Sequence, residues 1–223
     1  LKVAEQTEEL RQQVYVDPVT GLGNRTLLRE RAAPRPAGDT GTALLLLDLD
    51  GFKEINDTLG HAAGDAVLVS LGSRLGGITR AGDTVVRMGG DEFVLLLPGT
   101  ERRAATDIAA RVLEEVALPL TVGSTELVVR GSIGIALGAG DLDLDELLRR
   151  ADLAMYEAKA DGGARATVFD PDMHSRLTAR VSLEADLRRG LELGRFPVYF
   201  QPIVDVTTGE VAGLEALVRW DHP

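Results

Sequence analysis

At 223 residues, 44% apolar and 26% charged, the chain has the make-up of a soluble globular protein with one good core and part of a second unit. A net charge of −11 argues against a phosphate-backbone binder, so no nucleic-acid partner is expected, although divalent metal can still bring a polyanionic nucleotide to an acidic protein. The lack of cysteine excludes disulfides and thiolate chemistry and fits a reducing cytosol, hence a cytoplasmic location. No apolar run nears the roughly 20 residues that span a bilayer, so this segment is expected to make no direct membrane contact. With Leu1 rather than Met at its start, and no signal-peptide pattern, the sequence reads as a piece of a longer protein, any membrane anchor of which lies elsewhere.

Residues 1–16 suggest a lead-in helix or the end of a signalling stalk, with Val3, Leu10 and Val14 on one stripe. Pro34, Pro36, Gly38 and Gly41 then mark a loop. The run Ala43-Leu44-Leu45-Leu46-Leu47 suits a strand buried on both faces, with Asp48-Leu49-Asp50 emerging at its tip. Val67, Leu71, Leu75 and Ile78 give a helix over 61–79. Thr84–Met88 and Phe93–Leu97 read as strands of a hairpin turning at Gly89-Gly90. Ala105, Ile108, Val112 and Val116 give a helix over 101–117, and Leu127–Val129 and the Ile133, Ile135, Leu137 run give two strands. A further helix carries Leu144, Leu147, Leu148, Ala151, Met155 and Ala158, before a closing strand at Thr167–Phe169. The order predicts an α+β fold, an antiparallel sheet with flanking helices. Gly162, Gly163 and Pro171 mark a boundary, so residues 17–171 are expected to form one domain. Residues 172–223 follow as a helix and two strands, too little apolar mass for a domain alone.

Asp48 and Asp50 at one strand tip, and Asp91 and Glu92 at a Gly-Gly hairpin, would form an all-oxygen site for Mg²⁺ or Mn²⁺ if adjacent strand tips meet. Either cluster alone would be merely solvated acids. Two glycines before the acidic pair leave room for a bulky ligand such as a nucleotide. Gly51 and Phe52 could offer backbone N–H groups to phosphates at a helix start, with Lys53 beside them. Asn56 and Asp65 could read a guanine edge, whose N–H donors adenine lacks.

The run Gly89-Gly90-Asp91-Glu92-Phe93 resembles the signature of the GGDEF family, the diguanylate cyclases. Asp17-Pro18-Val19-Thr20-Gly21-Leu22-Gly23-Asn24-Arg25 resembles that family's opening motif. The segment Asp48–Asp57, followed by Leu59-Gly60-His61 and Gly64-Asp65, resembles its substrate-binding stretch. The resemblance implies a palm-like sheet of the nucleotidyl cyclase type and two GTP-loaded domains meeting as a homodimer. Two GTP would condense into cyclic di-GMP with release of pyrophosphate. It further implies Asp48, the Leu49 carbonyl, Asp91 and Glu92 as metal ligands, and Asp91 and Glu92 as catalytic residues, Asp91 taking the proton. Asn56, His61 and Asp65 would hold guanosine, while Gly51, Phe52, Lys53 and Lys159 would hold phosphates. Arg80-Ala81-Gly82-Asp83, separated from Gly89 by five residues, matches the family's Arg-x-x-Asp product-inhibition site, with Arg111 as a further arginine.

Two departures stand out. The family's late segment pairs a Lys with an Arg four residues on; here Lys159 is followed by Gly163, with Arg165 two residues later. Weak GTP binding is therefore expected, and Gly163→Arg should tighten it if φ there is below zero. The alternative function is a catalytically silent GTP-binding module that regulates an attached phosphodiesterase. The second departure is the tail: Tyr199–Asp205 and Gly213–Trp220 resemble the start of an EAL domain, the cyclic di-GMP phosphodiesterases, in which Gln201, Glu215 and Arg219 would bind metal or ligand. As a truncated TIM-barrel fragment it is expected to be inactive, since a barrel needs roughly 250 residues.

Overall fold

The structure is a computed structural model and describes residues 14–32, 41–138 and 143–220. The stripe through Val3 and Leu10 and the loop at Pro34, Pro36 and Gly38 lie outside the described residues. Up to Met173 the chain forms one compact unit, and from His174 a second.

The first unit runs α1 (Arg25–Arg31), β1 (Thr42–Asp50), α2 (Phe52–Leu59), α3 (His61–Ile78), β2 (Thr84–Gly89) and β3 (Glu92–Pro98). It continues with α4 (Arg102–Ala117), β4 (Leu120–Val122), β5 (Thr125–Leu127), β6 (Arg130–Gly138), α5 (Leu144–Ala160) and β7 (Ala166–Val168). Five strands form a sheet in the order β2-β3-β1-β6-β7. The strand at its centre, β1, is the chain's most continuously apolar run, because helices cover both of its faces. Leu45, Leu47 and Leu49 pack on one side with Val67, Leu71 and Leu75 of α3 and Ala105, Val112 and Val116 of α4. Leu44 and Leu46 pack on the other, with Leu28 of α1 and Leu147, Ala151 and Met155 of α5. The apolar faces expected of these helices are therefore the ones buried, with Ile78, Ile108 and Leu148 only partly covered.

Two details differ from the sequence reading. The segment Leu127–Val129 is not a strand; its first residue ends β5, which pairs with β4 in a small separate hairpin. The sheet is also not wholly antiparallel, since β7 joins β6 in parallel. The intervening α5 is the helical crossover that such a pairing needs.

At the amino-terminal side, Asn24 caps α1, its Oδ1 accepting from the Thr26 and Leu27 N–H groups while Nδ2 donates to the Val14 carbonyl. Gly23 has no room for a side chain: a Cβ there would lie 2.9 Å from Val86 Cγ1. In the second unit, α6 (Met173–Glu192) precedes β8 (Val198–Val204) and β9 (Val211–Val218), which pair antiparallel, setting Gln201 opposite Glu215. Phe196 and Trp220 stack at 5.7 Å between centroids. No described helix is long and apolar enough to cross a membrane.

Candidate active site

Alternation along β1 decides where its acids go. Asp48 and Asp50 follow Leu44 and Leu46 at period two and so share the face covered by α5. Asp48 is 9% exposed and lies opposite Glu92 of β3 on one side and Ser132 of β6 on the other. From the last turn of α5, Lys159 Nζ reaches Asp48 Oδ1 at 2.5 Å. The helix can lie this close because β6 carries Gly134, where a Cβ would overlap the Ala151 carbonyl and the Met155 nitrogen.

The β2–β3 turn brings Asp91 and Glu92 to the same end of the sheet. Gly89 and Gly90 take φ of 137 and 55, which glycine adopts without strain. Arg87 holds this turn from behind: its Nε and Nη2 donate to the Gly90 carbonyl at 2.9 and 2.7 Å. Its Nη1 donates to both oxygens of Asp17 at 3.2 Å, tying the hairpin to the Asp17–Asn24 stretch. Asp17 also accepts from the Thr20 N–H and hydroxyl. Burial alone would raise the Asp17 carboxyl, but the bonds from Thr20 and Arg87 outweigh it and hold the group below its ordinary range. The opening motif predicted Asp17; the role of Arg87 has no signal in the sequence beyond its place just ahead of the hairpin.

Electrostatically the acids crowd one another. Burial pushes Asp48 above the usual carboxylate range; Lys159 opposes this, while Asp91 and Asp50 add to it. Glu92 is raised first by burial, then by Asp48, by Asp152 of α5 and by Asp91. Asp91 and Glu92 form no ion pair among the described residues. No three Asp, Glu or His side chains stand grouped as a ready metal cage there either. Still, carboxylates gathered at one end of the sheet, with Asp48 and Glu92 both raised by burial and by neighbouring acids, are the donor chemistry that suits a hard divalent cation. Leu49 buries its side chain in the core at 1% exposure, so only its backbone could serve as a ligand.

Asp50 has a different task from Asp48. It accepts from the Ser132 hydroxyl at 2.8 Å and the Ala164 N–H at 2.9 Å, so it pins the turn after α5. In that turn Gly163 sits at φ 69 and Ala164 at φ 51, and a Cβ on Gly163 would lie 3.0 Å from Asp50 Oδ2. The condition for a beneficial arginine at 163, φ below zero, is not met. Asp50, Gly51, Arg130, Lys159 and residues 162–164 line a cleft of about 470 Å³. Gly51, at φ 74, starts α2 without a side-chain cap; Phe52 buries its ring in the core, and Lys53 is exposed. Around the Gly60 corner, Asn56 packs against Gly64, where any Cβ would collide with its amide. His61 and Asp65 lie exposed one helical turn apart on α3.

The Arg80–Asp83 pair lies apart, at the end of α3. Arg80 Nε contacts Asp83 Oδ1 at 3.3 Å, and Nη2 donates to the Pro98 carbonyl and to Thr100 Oγ1. Its side chain stays 63% exposed. Arg111 is exposed on α4, and no hydrogen bond or ion pair joins it to that pair.

Comparison with known proteins adds to this geometry. Residues 14–165 match the family described as "Diguanylate cyclase, GGDEF domain", and residues 184–223 match the EAL domain. The chain is 38% identical over 99% of its length to the bifunctional diguanylate cyclase/cyclic di-GMP phosphodiesterase MucR of Pseudomonas aeruginosa, covering 33% of that protein. It is 36% identical over 96% of its length to the cyclic di-GMP phosphodiesterase NbdA of the same organism, covering 28% of it. It thus spans about a third of the length of the curated relatives it matches. Among solved structures, the coiled coil and GGDEF domain of DgcB from Caulobacter crescentus, in complex with c-di-GMP, superposes with TM-score 0.69 at 28% identity, covering 75% of this chain and 92% of that one. The GGDEF domain of TpbB (YfiN) from Pseudomonas aeruginosa superposes with TM-score 0.67 at 34% identity, covering 74% and 99%. These likenesses support a role in cyclic di-GMP metabolism, in a family that generally depends on divalent metal. The Gly89–Phe93 hairpin, the fold around it and the match over residues 14–165 together make this chain a member of the GGDEF family, with a short EAL-type stretch after it.

Proposed function

We propose that the first unit is a diguanylate cyclase. Two GTP would be held by two copies of the chain, each 3′-oxygen bonding to the α-phosphorus of the other nucleotide. Each bond to the leaving pyrophosphate breaks, giving cyclic di-GMP and two pyrophosphates. The observation that carries the reading is the β1–β3 register, which sets Asp48 against Glu92 beside the Gly90-Asp91 turn. Asp48, the Leu49 carbonyl and Asp91, with Glu92, would hold Mg²⁺ or Mn²⁺. When bound, that ion neutralises charge on the phosphates. Asp91 Oδ accepts the proton of the attacking hydroxyl. Asn56, His61 and Asp65 orient guanosine from the Gly60 corner; Gly51, Phe52 and Lys53 present donors to the phosphates. Lys159 would exchange Asp48 for phosphate as nucleotide and metal arrive. Arg80, Asp83 and Arg111 would bind product and inhibit turnover. The EAL-type stretch, with Gln201, Glu215 and Arg219, contributes no hydrolysis of its own.

Two observations favour the silent-module reading: Lys159 pairs with Asp48, a carboxylate the metal would need, and no arginine stands at 163. Incubation of the chain with GTP and Mg²⁺, with assay of pyrophosphate and cyclic dinucleotide, separates the two. The cyclase releases two pyrophosphates per cyclic di-GMP. Binding of GTP without either product would leave the module.

A further inference from the structure

A triphosphate carries several negative charges, and the cleft beside Asp50 has to offset them. Most of its polar groups are already engaged. The Asp50 carboxylate is taken up by Ser132 and Ala164, and Lys159 stands at Asp48. The 162–164 turn brings backbone and no cation, and the contact between a Cβ at 163 and Asp50 leaves a long side chain there no unstrained place. Arg165, the next cation along the chain, turns towards Asp161, its Nη1 3.9 Å from Oδ2, and does not line the cleft.

Arg130 does line it. It opens β6, where the β1–β6 register sets it directly opposite Asp50. The residue is exposed and makes no hydrogen bond or ion pair through its guanidinium among the described residues. An arginine left unpaired beside a backbone-lined cleft, with a lysine at the same wall, is the arrangement that grips phosphate oxygens through two N–H groups at once. Its position is set by sheet register, 33 residues from Gly163 along the chain, so no linear motif betrays it.

We infer that Arg130 binds the terminal phosphates of GTP, supplying from β6 the guanidinium that the turn after α5 lacks. The inference rests on the reading of this site as a GTP site. It alters the expectation of weak nucleotide binding, because the arginine is present, supplied by a different strand.

Isothermal titration of the full chain with GTP and with GMP, Mg²⁺ present, tests it. A charge-assisted hydrogen-bond pair to phosphate corresponds to about a tenfold change in affinity. Arg130→Ala should therefore raise the Kd for GTP about tenfold and leave the Kd for GMP, which lacks the terminal phosphates, where it was. Arg130→Lys should recover part of the loss, keeping charge without the planar fork. Unchanged GTP affinity in Arg130→Ala would overturn the assignment, as would equal weakening of GTP and GMP, or the same loss from Arg165→Ala in its place. A parent chain that binds neither nucleotide would instead overturn the GTP-site reading, and Arg130 with it.

Discussion

Asp48 and Asp91 share one end of the sheet but differ in what holds them: Asp48 is buried and paired with Lys159, and Asp91 sits unpaired on the turn. Asp91→Asn keeps shape and size at a half-buried position, so the thermal midpoint should hardly move. Cyclic di-GMP formation should nevertheless fall by about 100-fold or more, as when a group aimed at developing charge is removed. Near-normal turnover in that variant would remove Asp91 from the chemistry. Gly163→Arg now carries the opposite expectation from the one φ below zero would have given. At φ 69 a side chain costs about 1–2 kcal/mol and crowds Asp50, so the variant should unfold at lower temperature and bind GTP no tighter. A tighter-binding, equally stable variant would mean that the turn relaxes freely. At the separate site, Arg80→Ala should raise the cyclic di-GMP concentration needed for half-inhibition about tenfold. The same midpoint in both forms would reduce Arg80 and Asp83 to a structural ion pair.

At the scale of elements, Arg87 is the joint that connects the Asp17–Asn24 stretch to the hairpin carrying the acids. The pair is largely covered, with side-chain exposures of 11% for Arg87 and 15% for Asp17. Because the folded pKa of Asp17 is depressed, its contribution to stability is present above the ordinary value of 3.8 and is lost as pH falls through the lower folded value. Asp17→Asn should cost about 2 kcal/mol at neutral pH in urea unfolding. The variant should also lose less stability than the parent as pH falls below about 3.8. Parallel pH profiles would show that Asp17 is not the titrating group.

For the whole molecule, the division after Met173 predicts that the first unit stands alone. A chain ending at Thr178 keeps Met173, 5% exposed, in its buried place. It should unfold in one cooperative step and retain cyclic di-GMP formation. The β8–β9 hairpin leaves Tyr199, Phe200 and Ile203 more than half exposed, too little burial to stand by itself. Loss of cooperative unfolding on truncation would show that the second unit is part of the first unit's stability.

Sequence alone was enough for the family and for most of the elements, though not for α1 or the β4–β5 hairpin. The run at 43–47 is apolar at every position, which only a strand covered on both faces tolerates, and the helices repeat their apolar residues at 3.6. Gly89–Phe93 and the opening motif are contiguous, so their chemistry is visible in one dimension. Which acids meet was not visible there. Asp48 and Asp50 are two residues apart and look equivalent, yet the first faces Glu92 and Lys159 while the second is consumed by Ser132 and Ala164. That division depends on which strand tips and turns border each position, and hence on register between distant segments, 82 residues apart for Asp50 and Ser132 and 114 for Asp50 and Ala164. The same holds for Arg87, Asp152 and Arg130, and for the parallel β7. Pairing across a sheet is decided by hydrogen bonds and packing between distant segments, and no local periodicity encodes a partner.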